Sequence, residues 1–209
     1  MIAGILDASD ALTAFGNTIP TSYLRLVPHQ EAPTTVCWGG DRNRSVVVRV
    51  PLGWVGADGM TRDANPPGEN GHRPNRPPSK QTFEYRVADG SADPYLIVAG
   101  LIVAALRGIE MPGALEAAEK LYVSGNIFRP PEFKERLATF KQLPASCVES
   151  AEALEAKRAI FESNGIFPAG MIESRISTLK AFDDLGLSER LYGNNDAIRE
   201  LVDRYIHVA

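Results

Sequence analysis

The sequence predicts an α+β fold, an antiparallel sheet platform followed by a helical C-terminal half. Three observations carry this. Short β-branched or alternating runs fall between residues 22 and 87, separated by Pro, Gly, Asn and Asp turns. An apolar run, Tyr95 to Leu106, follows an Asp93-Pro94 pair that suits an N-cap and first helical position. Beyond it the apolar residues recur at helical spacing to the end of the chain.

Bulk properties exclude several classes. With 209 residues, 44% hydrophobic and 23% charged, the chain has the composition of a globular protein with a sizeable core. A net charge of −4 argues against nucleic acid as a partner, while local clusters of arginine suit small anions. Cys37 and Cys147 lie far apart with no metal-ligand spacing, so reduced thiols are expected. The N-terminal stretch lacks a basic region and carries Asp7 and Asp10, unlike a signal peptide. The longest apolar run of the chain, Tyr95 to Leu106, is shorter than the roughly 20 residues that span a bilayer. A soluble, cytoplasmic protein without a membrane partner is expected.

Taken in order, Ile2 to Phe15 has apolar residues at helical intervals and should end near Gly16. Its hydrophobic face is already running at Met1, as if cut into an element, and exposed apolar surface is expected there. Ser22 to Val27 alternates as a strand, with Arg25 opposite Leu24 and Leu26. Pro28 and Pro33 then bracket a stiff loop with Glu31 at its tip. Thr34 to Trp38 and Ser45 to Val50 read as strands joined by the turn GGDRNR. Residues 52–80 are too rich in Pro, Gly, Asn and Arg to bury a core and should form an exposed loop. His72 within it has no second metal ligand nearby.

Gln81 to Val87 is the next expected strand, with Thr82, Glu84 and Arg86 on one side and Phe83, Tyr85 and Val87 on the other. The apolar helix from Asp93 or Pro94 to Arg107 should be the central buried helix. Helices are then expected over Gly113–Tyr122, Glu132–Gln142, Ala169–Leu185 and Leu187–Ile206. Ser146 with Glu149 forms a capping box that opens another, through about Glu162.

If the strands pair in one sheet, Arg25, Arg44, Arg49, Glu84 and Arg86 converge on one face. Four guanidiniums exceed what one carboxylate neutralises, and such a cluster grips carboxylates or phosphates bidentately. Glu84 suits a hard divalent ion shared with phosphate oxygens, and Glu31 suits a lid that handles a proton. The alternative is a set of surface ion pairs with Arg42 and Arg44 solvated. Trp38 and Trp54 read as packing residues.

These residues resemble the C-terminal half of the glutamine synthetase catalytic domain. That family has a run of the type NSYKRLVPGxEAP…WGxxNRSxxxRIP, then IEVRxPDxxANPYL and a long apolar helix. Here the order is TSYLRLVPHQEAP, WGGDRNRSVVVRVP and FEYRVADGSADPYL, followed by IVAGLIVAAL. The departures are Thr21 for Asn, Leu24 for Lys, His29-Gln30 for a Gly-containing pair, Gln81-Thr82 for a basic pair and Asp93 for Asn. Tyr122 lies near the position of adenylylation in some bacterial members, but VSGNIF after it does not match.

The resemblance implies Arg25 and Arg86 on glutamate, Arg44 on both glutamate and ATP phosphate, Arg49 on ATP, Glu84 on metal and Glu31 as the flap glutamate. Its cofactors are ATP and Mg2+ (or Mn2+). Its chemistry is phosphorylation of the glutamate γ-carboxylate followed by attack of ammonia. Residues 1–209 are then expected to be a partial catalytic domain: sheet and buried helix in 1–110, helical region in 111–209. The family's N-terminal β-grasp domain and the first half of its catalytic domain are not in this sequence. A homo-oligomer or a missing N-terminal half is an expected partner, and the chain by itself is expected to be inactive. A ligase joining another amine to glutamate, and a non-catalytic binding remnant, remain as alternatives.

Overall fold

The computed structural model describes residues 1–27, 32–51, 82–127, 135–136, 138–163 and 165–207. Helix α1 (Ile2–Gly16) is its centre: all but Ile2 and Asp7 of its residues are buried. The exposed apolar surface expected on this helix is confined to its start, where half-exposed Met1 lines an apolar depression with Ile2 and Ala3. Its small residues let neighbours approach on every side. Gly4 meets the backbone of helix α2 (Pro94–Glu110), and an added Cβ there would lie 2.1 Å from the Ala104 carbonyl oxygen. Phe15 closes the other end, with ring centroids 5.2 Å from Phe161 and 4.9 Å from Phe167.

The polar residues of α1 are each matched. Thr13 and Ser150 share a hydroxyl hydrogen bond of 2.6 Å, and Ser9 donates to the Ile5 carbonyl. Buried Asp10 pairs with Lys141 and, at 2.8 Å, with Lys157. Burial pushes the Asp10 carboxyl up, but the two ammonium partners more than offset this and hold it below the usual range. A carboxyl with a lowered folded pKa stabilises the fold above its unfolded value and loses that contribution as pH falls through the folded one. The urea midpoint is expected to drop across that acidic window, and Asp10→Asn to flatten the drop, in pH-resolved denaturation curves.

Beyond Gly16 the structure departs from the expected strands. Residues Pro20–Leu24 form a 3-10 helix, η1, and not a strand. Pro20 opens it, and burial falls at Tyr23 and Leu26, a spacing of three in place of two. The sheet has three short strands, β1 (Trp38–Gly40), β2 (Val48–Val50) and β3 (Glu84–Tyr85), in that order. Strand β2 runs antiparallel to β3 but parallel to β1, so the platform is mixed where an antiparallel one was expected. The connection 41–47, which opens with Asp41 at φ 52, carries the chain back to start β2 in the same direction as β1. Val46, Val47 and Val48 are all fully buried, which is why this run showed no alternation.

Helix α2 begins as its sequence indicates, with the Asp93 carboxylate accepting from the Tyr95 and Leu96 amides. It is not buried all round. Ile97, Gly100, Val103, Ala104, Ala105 and Gly108 face the core, whereas Tyr95, Val98, Ile102, Leu106 and Ile109 are exposed. Helices α3 (Ala114–Lys120), α4 (Cys147–Glu162), α5 (Ala169–Lys180), α6 (Leu187–Leu191) and α7 (Asn195–Tyr205) follow. The Ser146 cap holds, its Oγ accepting from the Glu149 amide at 3.1 Å. Glu149 returns its carboxylate to the Ala145 amide.

Of the expected Glu132–Gln142 helix, residues 135 and 136 are helical, and the chain has left the helix by residues 138–142, where Thr35 and Gln142 form a β-bridge. Two other helices end early. Asp183 takes φ 49 after Lys180, and buried Asp184 accepts from the Cys147 and Val148 amides, capping α4 from a distance. Gly193 at φ 78, with Asn194 as a new N-cap, divides the expected last helix into α6 and α7. No single described helix is long and apolar enough to cross a membrane.

Candidate active site

The register of β2 and β3 sets Arg49 directly across from Glu84. Cross-strand neighbours on one face meet, and Arg49 Nε lies 2.6 Å from Glu84 Oε2. Arg86, two residues on and so on the same face, brings Nη1 to 3.3 Å from Glu84 Oε1. One carboxylate thus stands between two guanidiniums. The contact of Arg49 Nε is ionic and not a directed hydrogen bond, because the N–H is not aimed at the oxygen. Arg86 Nε is buried without a hydrogen-bond partner among the described residues.

The opposite face of β3 anchors the site to the core. The Tyr85 hydroxyl donates to the Ser9 carbonyl, and burial pushes its pKa well above the ordinary tyrosine range. Val87 is fully buried and its carbonyl accepts from Asn17 Nδ2 at 3.0 Å and Arg25 Nη1 at 2.9 Å. Arg25 caps η1, and its guanidinium lies 3.9 Å from Asp89. It therefore reaches the stretch that carries Glu84 and Arg86, though from a 3-10 turn and not from a paired strand.

Arg44 is exposed, and among the described residues no ion pair or hydrogen bond joins it to this triad. Its neighbours hold it in place. Asn43 Nδ2 donates to the Gly125 carbonyl at 2.8 Å, and Asn43 Oδ1 accepts from Ser45 Oγ at 2.6 Å. Ser45 Oγ in turn accepts from the Ile127 amide. Arg42 is exposed. Glu31, His72 and Trp54 lie outside the described residues. Trp38 is a packing residue as expected, donating from Nε1 to the Ala118 carbonyl at 2.7 Å, with its ring 4.9 Å from that of Tyr122 and tilted 56° to it.

Sequence reasoning passed over Asp89 and Ser91. The Asp89 carboxylate accepts from the Ser91 amide and hydroxyl, and Ser91 Oγ receives the Thr18 amide and meets Ser22 Oγ at 3.1 Å. This network ties η1, and hence Arg25, to the segment after β3. It borders a cavity of about 320 Å³ lined by Thr21, Ser22, Asp89, Ser91 and Tyr205. The Asp-Gly-Ser sequence at 89–91 is a turn signal that marks the place but not its partners. Cys37 and Cys147 are free and buried, and burial pushes the Cys37 thiol up to about 12.

The residues fit an anion better than a metal ion. Among the described residues no group of three or more His, Cys, Asp or Glu is placed to hold a metal. Glu84 is the one carboxylate of the triad, and both its oxygens are engaged by arginine. A divalent ion at Glu84 needs donors that these residues do not supply.

Comparison with known proteins follows the same line. A family model described as glutamine synthetase, catalytic domain, matches residues 1–181. A glutamine synthetase of Pyrococcus abyssi is 34% identical over 164 residues, covering 78% of this chain and 31% of the relative. The chain thus spans about a third of the length of the curated relatives it matches. Among solved structures, the crystal structure of a novel glutamine synthase homologue aligns at a TM-score of 0.57 over 100% of this chain and 38% of that one, at 19% identity. A cryo-EM structure of Plasmodium falciparum glutamine synthetase aligns at 0.56 over 94% and 40%, at 21% identity. These two structural likenesses concern the fold.

Proposed function

The chain belongs to the glutamine synthetase catalytic-domain family, and from that premise we propose that it carries the arginine side of a site forming γ-glutamyl phosphate. In this reading Arg25 and Arg86 hold the carboxylates of glutamate, Arg49 holds ATP phosphate, and Arg44 touches both. Glutamate's γ-carboxylate oxygen attacks the γ-phosphorus of ATP and ADP leaves. Ammonia then attacks the carbonyl carbon of the γ-glutamyl phosphate and phosphate leaves, giving glutamine once the attacking nitrogen has lost a proton. The guanidiniums stabilise the charge that gathers on the transferring phosphoryl group. Glu31, on its proline-bracketed loop, would take the proton that the ammonium gives up.

The observation that carries this is the Arg49–Glu84–Arg86 triad, in which one carboxylate faces two guanidiniums and a buried Arg86 donor is left over. Paired surface charges would have no such excess. The family's ATP and divalent-metal chemistry needs further carboxylates near Glu84, beyond those that the described residues place there. On that ground the 209-residue chain does not turn over unaided. Purified chain supplied with ATP, glutamate, hydroxylamine and Mg2+ or Mn2+ is expected to form no γ-glutamyl hydroxamate. Steady formation at rates typical of enzymes, about 1 per second or faster, would overturn the claim of incompleteness. Phosphate is expected to raise the thermal midpoint of the same preparation, and Arg49→Ala to abolish that rise.

A further inference from the structure

Arg25 reaches the site from a 3-10 turn, and two contacts steady its guanidinium there. Its Nη1 donates to the Val87 carbonyl at 2.9 Å and lies 3.9 Å from Asp89 Oδ2. Val87 directly follows Arg86, whose own amide donates to the Val47 carbonyl at 3.0 Å. The reach from one arginine to the other is thus set through the backbone of residues 86–89. A long arginine side chain keeps its rotamer freedom unless such partners are themselves fixed.

Both partners are fixed. The Val87 carbonyl also accepts from Asn17 Nδ2, and the Asp89 amide donates to the Gly16 carbonyl at 3.0 Å. Asp89 Oδ1 accepts twice from Ser91, from the amide at 2.9 Å and from the hydroxyl at 2.7 Å. That leaves Oδ2 as the oxygen turned to Arg25.

The Ser91 hydroxyl does more than close this turn. A carboxylate only accepts, so Ser91 gives its one proton to Asp89 and offers its lone pairs elsewhere. They receive the Thr18 amide at 3.0 Å and meet the Ser22 hydroxyl at 3.1 Å. Ser22 is then the donor, and it lies in η1, which Arg25 caps. An Asp-Gly-Ser turn closes with the Asp89–Ser91 bonds alone. The two further bonds run 73 and 69 residues back along the chain. One bond of the hydroxyl therefore fixes the countercharge of Arg25, and two fix the base of its turn.

We propose that Ser91 and Asp89 are positioning residues for Arg25, holding its guanidinium at a set reach from Arg86 so that the pair takes the two carboxylates of one glutamate. The placement stands on the contacts above, whereas the substrate named rests on the function proposed for Arg25 and Arg86. Asp89→Asn keeps the side-chain shape and removes the countercharge. Ser91→Ala removes the hydroxyl. Ser91→Thr keeps it, and its extra methyl has room beside the cavity of about 320 Å³ that Ser91 borders.

Nitrogen NMR of the guanidiniums in the full chain tests this, with Arg25 assigned through Arg25→Lys. In the parent the two Nη groups of Arg25 are expected to give separate signals, because the bond to Val87 hinders rotation about Nε–Cζ. Ser91→Ala and Asp89→Asn should merge them into one averaged signal and weaken binding of added L-glutamate about tenfold. Ser91→Thr should keep both signals and most of the affinity. Phosphate affinity, read at Arg49, should stay at the parent value in all three variants.

A single averaged signal in the parent would overturn the proposal, as would separate signals that persist in both Ser91→Ala and Asp89→Asn. So would a loss of phosphate affinity as large as that of glutamate, which marks a general loosening of the fold. If the signals merge in the variants but glutamate does not shift them in the parent, the positioning role is upheld. The assignment of Arg25 to glutamate then falls by itself.

Discussion

Replacing Gly4 by valine is expected to leave the chain without its native fold, and Gly4→Ala to cost about 3 kcal/mol or more. The reason is geometric. A Cβ at Gly4 would lie 2.1 Å from the Ala104 oxygen, 2.5 Å from the Gly108 nitrogen and 2.6 Å from the Gly108 Cα. All three are backbone atoms of α2, so no rotamer change relieves the clash. The helices must separate, and α1 is the element on which α2, α4 and β3 all rest. The reciprocal contact is as close, since a Cβ at Gly108 would lie 2.6 Å from the Gly4 nitrogen and 2.8 Å from the Met1 oxygen. Gly108→Ala should therefore behave like Gly4→Ala. Gly170, in α5 with nothing near its missing Cβ, is the control, and Gly170→Ala should be neutral or stabilise by about 0.5 kcal/mol. Urea midpoints measure all three. A Gly4→Ala protein within about 0.5 kcal/mol of the parent, the ordinary range for surface substitutions, would show that the helix crossing is looser than drawn.

Much of the helical framework was legible because caps and periodicity are local. Asp93-Pro94, Ser146 with Glu149, and the run from Ile2 to Gly16 each specify an element through neighbours within a turn or two. The losses came where tertiary contacts decide. Ser22 to Val27 alternates as a strand would, with Leu24 and Leu26 on one face and Arg25 on the other, yet the network of Ser22, Ser91 and Asp89 and the buried Tyr23 hydroxyl, bonded to the Asn17 carbonyl, hold Pro20–Leu24 in a 3-10 turn. The exposed side of α2 could not be read from composition, since Val98 and Ile102 look no different from Ile97 and Val103. At the site, Arg49, Glu84 and Arg86 were legible as one face because strand alternation is a strong local rule. Arg44 was not placed by that rule, for it sits in a turn held by Asn43 and Ser45.

Glu84→Gln is the substitution that separates an anion grip from a structural ion pair, and it is expected to tighten phosphate binding by about tenfold, or 1.4 kcal/mol. Glu84 now neutralises one of two guanidiniums at 2.6 and 3.3 Å. The glutamine keeps the side-chain shape and removes the charge, so Arg49 and Arg86 turn toward an added dianion. Without phosphate the same variant should lose about 1 kcal/mol. The Arg86 side chain is 10% exposed and suffers from an uncompensated charge, while Glu84 is 41% exposed and water screens part of the loss. The gain in affinity should shrink with salt, since the Debye length falls to about 3 Å at 1 M. Arg49→Ala should lose phosphate binding, and Arg49→Lys should recover charge without the bidentate fork and regain only part of it. Titration calorimetry with inorganic phosphate and equilibrium denaturation read the two effects separately. If Glu84→Gln lowers stability but leaves phosphate affinity at the parent value, the triad is a structural tie between β2 and β3. The proposed role of Arg49 and Arg86 on substrate would then fall.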